Sequence, residues 1–373
     1  MSVYKNAKTG KWYCIFRVTD WTGKRKQIKK AGFSRRTDAL EYERNYTAKE
    51  SGSLDMTFGT LVDLYMADAK ARLRPTTYEN KTWIMDKKIL PYFRDQYVTD
   101  ITPAKIRKWQ TELIKKGYAP TYLKTINDQL TAVFNYAVKY YNLPQSPTAV
   151  AGSMGKRSAG EMDFWTLEEF EQFIAGLDGD PTASMAFNLL FWTGMREGEL
   201  LALTLNDCDF KRQGIYIRHN YARLHQDDLI QDPKTEKGKR FIPCPAFLMK
   251  MIQEYSARLY EYAPDDRLFP YTKSWINDQM KRGCKRTGVR KIRVHDVRHS
   301  HASMLIESGA DPLLLADRMG HEKVTTTLEI YSHLYPDKGQ ALAATLDALK
   351  ARRDHAAASS VLVDDPPTPE PDF

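Results

Sequence analysis

Residues 321–334, HEKVTTTLEIYSHL, hold the tyrosine on which the reading of this chain turns. Tyr331 sits in what otherwise looks like an ordinary helix end. Gly320 and His321 stand just upstream, and His295-Asp296-Val297-Arg298 lies in the same third of the chain. If Tyr331 is a packing aromatic, the C-terminal half is one more helical domain. If it is a nucleophile, that half must fold so as to gather cationic side chains around a phenol.

The chain has 373 residues, too long for one ordinary domain and enough for two or three. Its 42% hydrophobic and 28% charged residues suit a globular protein. No stretch approaches the roughly 20 apolar residues of a membrane-spanning helix, and the polar, basic start MSVYKNAKTG carries no secretion signal. Cys14, Cys208, Cys244 and Cys284 are scattered. They make neither a disulfide framework nor a cysteine-rich zinc site, and fit a reducing cytoplasm. The net charge of +9 and pI near 9.1 raise a nucleic-acid partner. Residues 1–36 hold seven Lys and four Arg against the single acid Asp20, which accounts for the whole excess. An acidic substrate or a membrane surface could use such a patch, but no amphipathic helix accompanies it.

Working outward along the chain, residues 1–36 read as strands. Trp12, Cys14, Phe16 and Val18 alternate with Tyr13, Ile15, Arg17 and Thr19. Asp20-Trp21-Thr22-Gly23 reads as a turn, and KRKQIKKAGF (24–33) as a further strand. Residues 37–49 read as a helix capped by Thr37, and 52–56 as a linker. Residues 57–143 read as a domain of about four helices. Phe58, Leu61, Val62 and Tyr65 make one stripe, and Leu123, Ile126, Leu130, Val133, Phe134 and Ala137 another. Thr76 with Glu79 has the spacing of a capping box, and Thr102-Pro103 reads as cap and first helical residue. The Pro/Gly/Ser/Ala-rich residues 144–162 read as a second linker. Residues 163–349 alternate helical stripes with strands at 214–223 and 240–243, separated by HQDDLIQDPKTEKGK (225–239), a polar loop or hairpin end. A last helix, 338–352, puts Leu342, Leu346 and Leu349 on one face. From Asp354 on there are five acids, four prolines and no Lys or Arg, the composition of a disordered tail. The expected fold is therefore multidomain α+β: a small N-terminal sheet plus helix (1–50), a helical domain (57–143), and a mostly helical domain with a small antiparallel sheet (163–349).

Four segments of the third domain stand out: TGMREGEL (193–200), PKT (233–235), HDVRH (295–299), and Gly320-His321 followed by Tyr331. Phosphoryl transfer to a side chain uses all of them. Arginine offers a planar fork matched to two phosphate oxygens, so Arg196 and Arg298 can clamp a scissile phosphate. Tyr331 would attack the phosphorus. A free phenol has a pKa of about 10, so it needs a base or positive surroundings. His295 shares a helical face with Arg298 and can supply either. Lys234 can swing in to protonate the departing 5′ oxygen. With side chains as the cations, no metal or cofactor is needed. Each residue also has an ordinary structural explanation: Tyr331 as core, His321 at a helix end, Arg196 in an ion pair with Glu199, Lys234 as one loop lysine among several. The arrangement and order carry the signal. His295 and His299 have the spacing of two metal ligands, but Asp296 stands where a zinc protease has Glu, and no third ligand follows in register. No Walker-type loop is present, so ATP use is not expected.

The segments TGMREGEL, HDVRHSHAS, MGH and IYSH resemble the tyrosine recombinases, in particular the integrases of temperate phages and conjugative transposons. The resemblance covers nearly the whole chain. It implies an arm-site DNA-binding domain at the N-terminus, a core-site-binding helical domain and a catalytic domain at 163–349. It implies a catalytic set of Arg196, Lys234, His295, Arg298, His321 and Tyr331, with Glu199 orienting the first arginine. Lys237 and Lys239 compete with Lys234 in the same loop. Lys24, Arg25, Lys26, Lys29, Lys30, Arg35 and Arg36 are the expected arm-DNA contacts. The resemblance further implies strand exchange by a homotetramer on core and arm sites of double-stranded DNA, in a bacterial cytoplasm. Directionality and DNA-bending accessory proteins would be further partners. A plasmid or chromosome dimer resolvase of the same family, or a non-catalytic DNA-binding repressor, is the alternative.

Overall fold

The structure, a computed structural model, describes residues 2–19, 25–51, 54–157, 162–335, 343 and 346–352. The chain divides into two compact units, residues 1–161 and 162–373.

In the first unit, the period-two alternation becomes an antiparallel sheet ordered β1 (Val3–Lys5), β2 (Trp12–Thr19), β3 (Arg25–Phe33). Cys14, Phe16 and Val18 are buried against α1 (Arg36–Ser51), whose Ala39, Tyr42 and Tyr46 close a small core. The helix begins one residue ahead of Thr37. Thr37 therefore lies inside the first turn rather than capping it, and an Arg35–Asp38 ion pair of 3.0 Å spans that turn.

Next come α2 (Phe58–Arg72), α3 (Pro75–Ile84), a wide π turn (Met85–Ile89), α4 (Leu90–Phe93), α5 (Pro103–Lys115), α6 (Pro120–Tyr140) and α7 (Pro147–Ala151). Thr57 and Thr102 cap α2 and α5 through their hydroxyls. The expected Thr76–Glu79 capping box does not form, because Pro75 already occupies the first helical position and Arg74 is the cap. The π turn precedes Pro91, which has no N–H to give the regular ladder. Phe58, Phe93, Trp109, Leu130 and Phe134 are central to the core. Residues 144–157, expected as linker, dock on this core instead. Ser146, Thr148, Ala151 and Met154 are buried, and Gln110 donates to the Gly152 carbonyl at 2.8 Å.

The second unit runs α8 (Leu167–Ala175), α9 (Pro181–Thr193), α10 (Glu197–Leu200), β4 (Cys208–Asp209), β5 (Gly214–Ile217), β6 (Asn220–Leu224), β7 (Asp227–Gln231), β8 (Arg240–Pro243), α11 (Ala246–Ser256), α12 (Lys273–Thr287), α13 (Asp296–Glu307), α14 (Pro312–Met319) and α15 (Val324–Tyr331). The apolar helix α9 is its axis, with Phe191 stacked on Phe170 at 3.8 Å and α8, α11 and α13 packed around it. A buried aromatic such as Phe191 stabilises by roughly 1.5–3 kcal/mol.

The strand expected at 214–223 is two strands. β5 pairs with β4 and β8, whereas β6 forms a separate hairpin with β7. The segment expected as a polar loop or hairpin end contains β7, the second strand of that hairpin. Its Asp227, Asp228 and Gln231 hide a strand signal, and the turn is His225-Gln226, both at positive φ, where Asn-Gly would have announced a hairpin. Of the last helix, 346–352 is helical with Leu346 and Leu349 exposed; Leu342 and the tail from Asp354 fall outside the described residues. No helix among the described residues is long and apolar enough to cross a membrane.

Candidate active site

Helix α13 breaks the rule that buried helix faces are apolar. Asp296, Arg298, His299, Ser300, His301 and Ser303 are all buried on it. Partners compensate much of the cost. Asp296 accepts from Arg293 at 2.7 Å. The Ser300 hydroxyl donates to the Asp296 carbonyl at 3.1 Å and accepts from the Trp165 N–H at 2.8 Å. Arg318 Nε donates to His301 Nε2 at 3.0 Å.

Arg298, only 4% exposed, donates Nη1 to the Gly194 carbonyl at 2.7 Å and Nη2 to the Met319 carbonyl. Arg196 Nη2 reaches the Gly320 carbonyl at 3.4 Å. The carbonyl-rich C-terminal ends of α9 and α14 thus hold both guanidiniums, where helix dipoles favour cations. Both ends require glycine. Gly194 and Gly320 cap their helices at φ of 65° and 64°, and a Cβ on Gly194 would lie 2.5 Å from His301 Cδ2.

Glu199 folds back on the start of α10. Its carboxylate accepts from the Arg196 N–H at 2.9 Å and Nη1 at 2.7 Å, and from Arg240 Nη2 at 2.9 Å and Nη1 at 3.1 Å. Burial pushes this carboxyl up, but Arg240, Arg196 and Arg298 outweigh it and hold the pKa at about 2. Arg298 is lowered by burial and by Arg196 to about 9, which leaves it charged at neutral pH. Arg196 keeps a side chain 37% exposed, the open member of the pair.

Tyr331 ends α15 with 1% exposure, and its hydroxyl stands 2.6 Å from His299 Nδ1. Burial raises the phenol to about 12 against the opposing pull of Arg298, and burial lowers His299 to about 4. With the phenol protonated and the imidazole neutral, Nδ1 accepts from the O–H in the tautomer that carries the ring proton on Nε2. His321 Nδ1 is 2.8 Å from Thr327 Oγ1, and burial with Arg298 and Arg196 lowers its pKa to about 4.

The structure therefore gathers Arg196, Glu199, Arg298, His321 and Tyr331 around the turns at Gly194 and Gly320. His295 lies one turn before His299 and is exposed. Its ring meets the His299 ring edge-on at 5.3 Å rather than bonding the phenol. Desolvation, then Arg298, lowers its pKa. Lys234 is exposed after β7, without an ion pair to a described residue, while Lys239 is held by Asp232 at 2.7 Å. Two members escaped sequence reasoning. Arg240 looked like a strand residue. His299 carries one signal, its spacing from His295, which in the sequence points only to metal ligation.

On the N-terminal sheet the register sorts the basic residues. Arg17, Arg25 and Lys29 share the face opposite α1, with Tyr13, over which Lys29 Nζ sits at 5.5 Å. Lys26 and Lys30 lie across from Val18 and Cys14, on the helix side. Arg35 precedes α1 and Arg36 begins it, and Lys24 falls outside the described residues.

Three family models match the chain: an arm DNA-binding domain at residues 2–49, the N-terminal SAM-like domain of phage integrases at 57–114, and the phage integrase family at 164–338. The ICEBs1 integrase of Bacillus subtilis is 29% identical over 335 residues, 85% of this chain and 91% of that protein. The Tn1549 transposon integrase in complex with transposon right end DNA superposes with a TM-score of 0.66 at 19% identity, covering 79% of this chain and all of that one. A lambda integrase tetramer bound to a Holliday junction gives 0.57 at 18% identity, over 91% of this chain and 95% of that one. The chain belongs to the phage integrase family, the tyrosine recombinases. It is a site-specific integrase of a mobile element, a DNA strand-transferring enzyme.

Proposed function

We propose that this integrase cuts and rejoins DNA through a 3′-phosphotyrosine at Tyr331, to integrate and excise its element. The phenol oxygen attacks the phosphorus, the bond to the 5′ oxygen breaks, and Lys234 protonates that oxygen as it leaves. Rejoining reverses these steps with the 5′ hydroxyl of a partner duplex, so phosphodiester bond energy is kept. Arg196 and Arg298 clamp the non-bridging oxygens with the donors their carbonyl partners leave free. His321 donates to the same phosphate, and His295 flanks it. The observation that carries this reading is the convergence of both arginines on the Gly194 and Gly320 turns, with Tyr331 packed in one buried cluster with Met319 beside the second turn. Four protomers would act on core sites while the basic sheet holds arm sites, in a bacterial cytoplasm and with directionality and DNA-bending partners.

A suicide substrate nicked near the cleavage site tests it. The native chain is expected to form a covalent protein–DNA adduct, and Tyr331→Phe to form none; an adduct with Tyr331→Phe rejects the nucleophile. Lys234→Ala is expected to recover on a 5′-phosphorothiolate substrate, whose leaving group needs no proton. Recovery by Lys237→Ala or Lys239→Ala instead moves the general acid.

A further inference from the structure

We propose that His299, not His295, accepts the phenolic proton of Tyr331 during strand cleavage. The proposal rests on the reading of Tyr331 as nucleophile. A general base must come within hydrogen-bond reach of the proton it removes, directly or through one water. His299 Nδ1 is 2.6 Å from the hydroxyl, whereas the His295 ring is turned toward His299. His299 is also placed rigidly. It is buried on α13 between Arg298 and Ser300, which are themselves tied to backbone carbonyls.

The groups facing His299 explain why the proton stays on oxygen in the resting enzyme. Burial disfavours an imidazolium most, His295, Arg298 and Arg293 add to it, and Asp296 opposes them. A phosphodiester seated between Arg196 and Arg298 brings negative charge to the same place. It offsets the cations that add to burial in keeping the imidazole neutral, while the phenol becomes more acidic as its oxygen bonds to phosphorus. The step then balances. The O–P bond forms, the P–O5′ bond breaks, the phenol proton passes to Nδ1, and Lys234 supplies the proton of the 5′ hydroxyl. In rejoining, the attacking hydroxyl returns its proton to Lys234, and Nδ1–H returns the other to the departing phenolate. His299 is in this sense a catalytic residue that also parks the nucleophile.

The discriminating variant is His299→Asn. Its side-chain amide reaches the place of Nδ1 and can hold the phenol, but it takes up no proton at neutral pH. Adduct formation on the suicide substrate is expected to slow by about 10²–10⁴-fold, with band-shift affinity and melting temperature kept. Placing 3,5-difluorotyrosine at position 331, a phenol ionised far more easily, is expected to recover at least about tenfold of that loss, while speeding the native background less. A native rate for His299→Asn overturns the proposal, as does a slowed rate that the fluorinated phenol does not recover. Recovery with His295→Asn alone moves the base to His295. If His299→Asn does not fold, His299→Gln serves in the same comparison. Tyr331→Phe run alongside separates the two levels: an adduct there sinks the nucleophile itself, whereas its absence with a native His299→Asn rate sinks only the base.

Discussion

His301 and Glu199 show what a buried titratable side chain does to this fold. Burial, then Arg318, depresses the His301 pKa to about 3, and burial lowers His299 to about 4. An unfolded histidine titrates near about 6.5. A depressed folded value means the stabilisation is complete above that pH and is lost as pH falls toward the folded pKa. Between pH 6.5 and 5 each such group gives up roughly 2 kcal/mol at about 1.36 kcal/mol per unit. Urea midpoints are thus expected to decline from just below neutral, before carboxylates titrate, and His301→Phe to soften that decline. A flat midpoint from pH 7 to 5 would contradict it. Glu199 acts in a lower window. Its drop from an ordinary 4.5 to about 2 is of the order of 3 kcal/mol, present above pH 4.5 and lost toward pH 2. Glu199→Gln is expected to unfold more readily at pH 6 by a similar amount, and the gap to close at pH 2 to 3. A gap that stays constant with pH would show that shape, not charge, is what Glu199 supplies.

Arg240 makes the same argument for elements. From β8 its guanidinium reaches the Glu199 carboxylate in α10, the Gly238 carbonyl at 3.1 Å, and through Nε the Arg318 carbonyl at 2.8 Å at the end of α14. One side chain ties the lysine-bearing loop, the helix of Glu199 and the turn before His321 together. Arg240→Ala leaves a buried carboxylate with half its partners, a loss of about 3–5 kcal/mol. Arg240→Lys keeps the charge but loses the fork, so it is expected to fall between. Thermal melts and adduct rates of both variants check this, and wild-type values for Arg240→Ala would refute it. Sequence patterns predicted the elements that answer to local rules. The Thr102-Pro103 cap, the α6 stripe and the β2 alternation all depend on neighbours within a few residues. What stayed hidden depended on distant partners. Arg240 becomes a site residue only because α10 and α14 come to it, and His299 only because α15 lays Tyr331 against it. The β7 strand was hidden by polar residues that a two-stranded hairpin tolerates.

At the scale of the molecule, the N-terminal sheet and the helical core share α1. Ala48 is buried in the helical core, Asn45 accepts from the Thr57 N–H at 3.1 Å, and Arg44 lies over the Tyr97 ring at 4.1 Å. Cutting the chain at residue 50 would strip a helix from that core as well as the sheet, so surface substitutions are the cleaner probe of arm binding. The sheet face opposite α1 offers Arg17, Arg25 and Lys29 beside Tyr13. Strands of this kind read DNA from a groove, and their cations release counterions from phosphates. Each phosphate contact contributes about 0.9 to the slope of log affinity against log salt. Arg17→Ala with Lys29→Ala is expected to lower the slope for arm DNA by about 2 and to suppress integration, while adduct formation on a core suicide substrate continues. Lys26→Ala with Lys30→Ala, on the helix side, is expected to change the slope less. Equal slopes for the two double variants would mean that the open face is not the one that meets DNA, and a core-site defect in the first would mean that the sheet serves cleavage as well as arm binding.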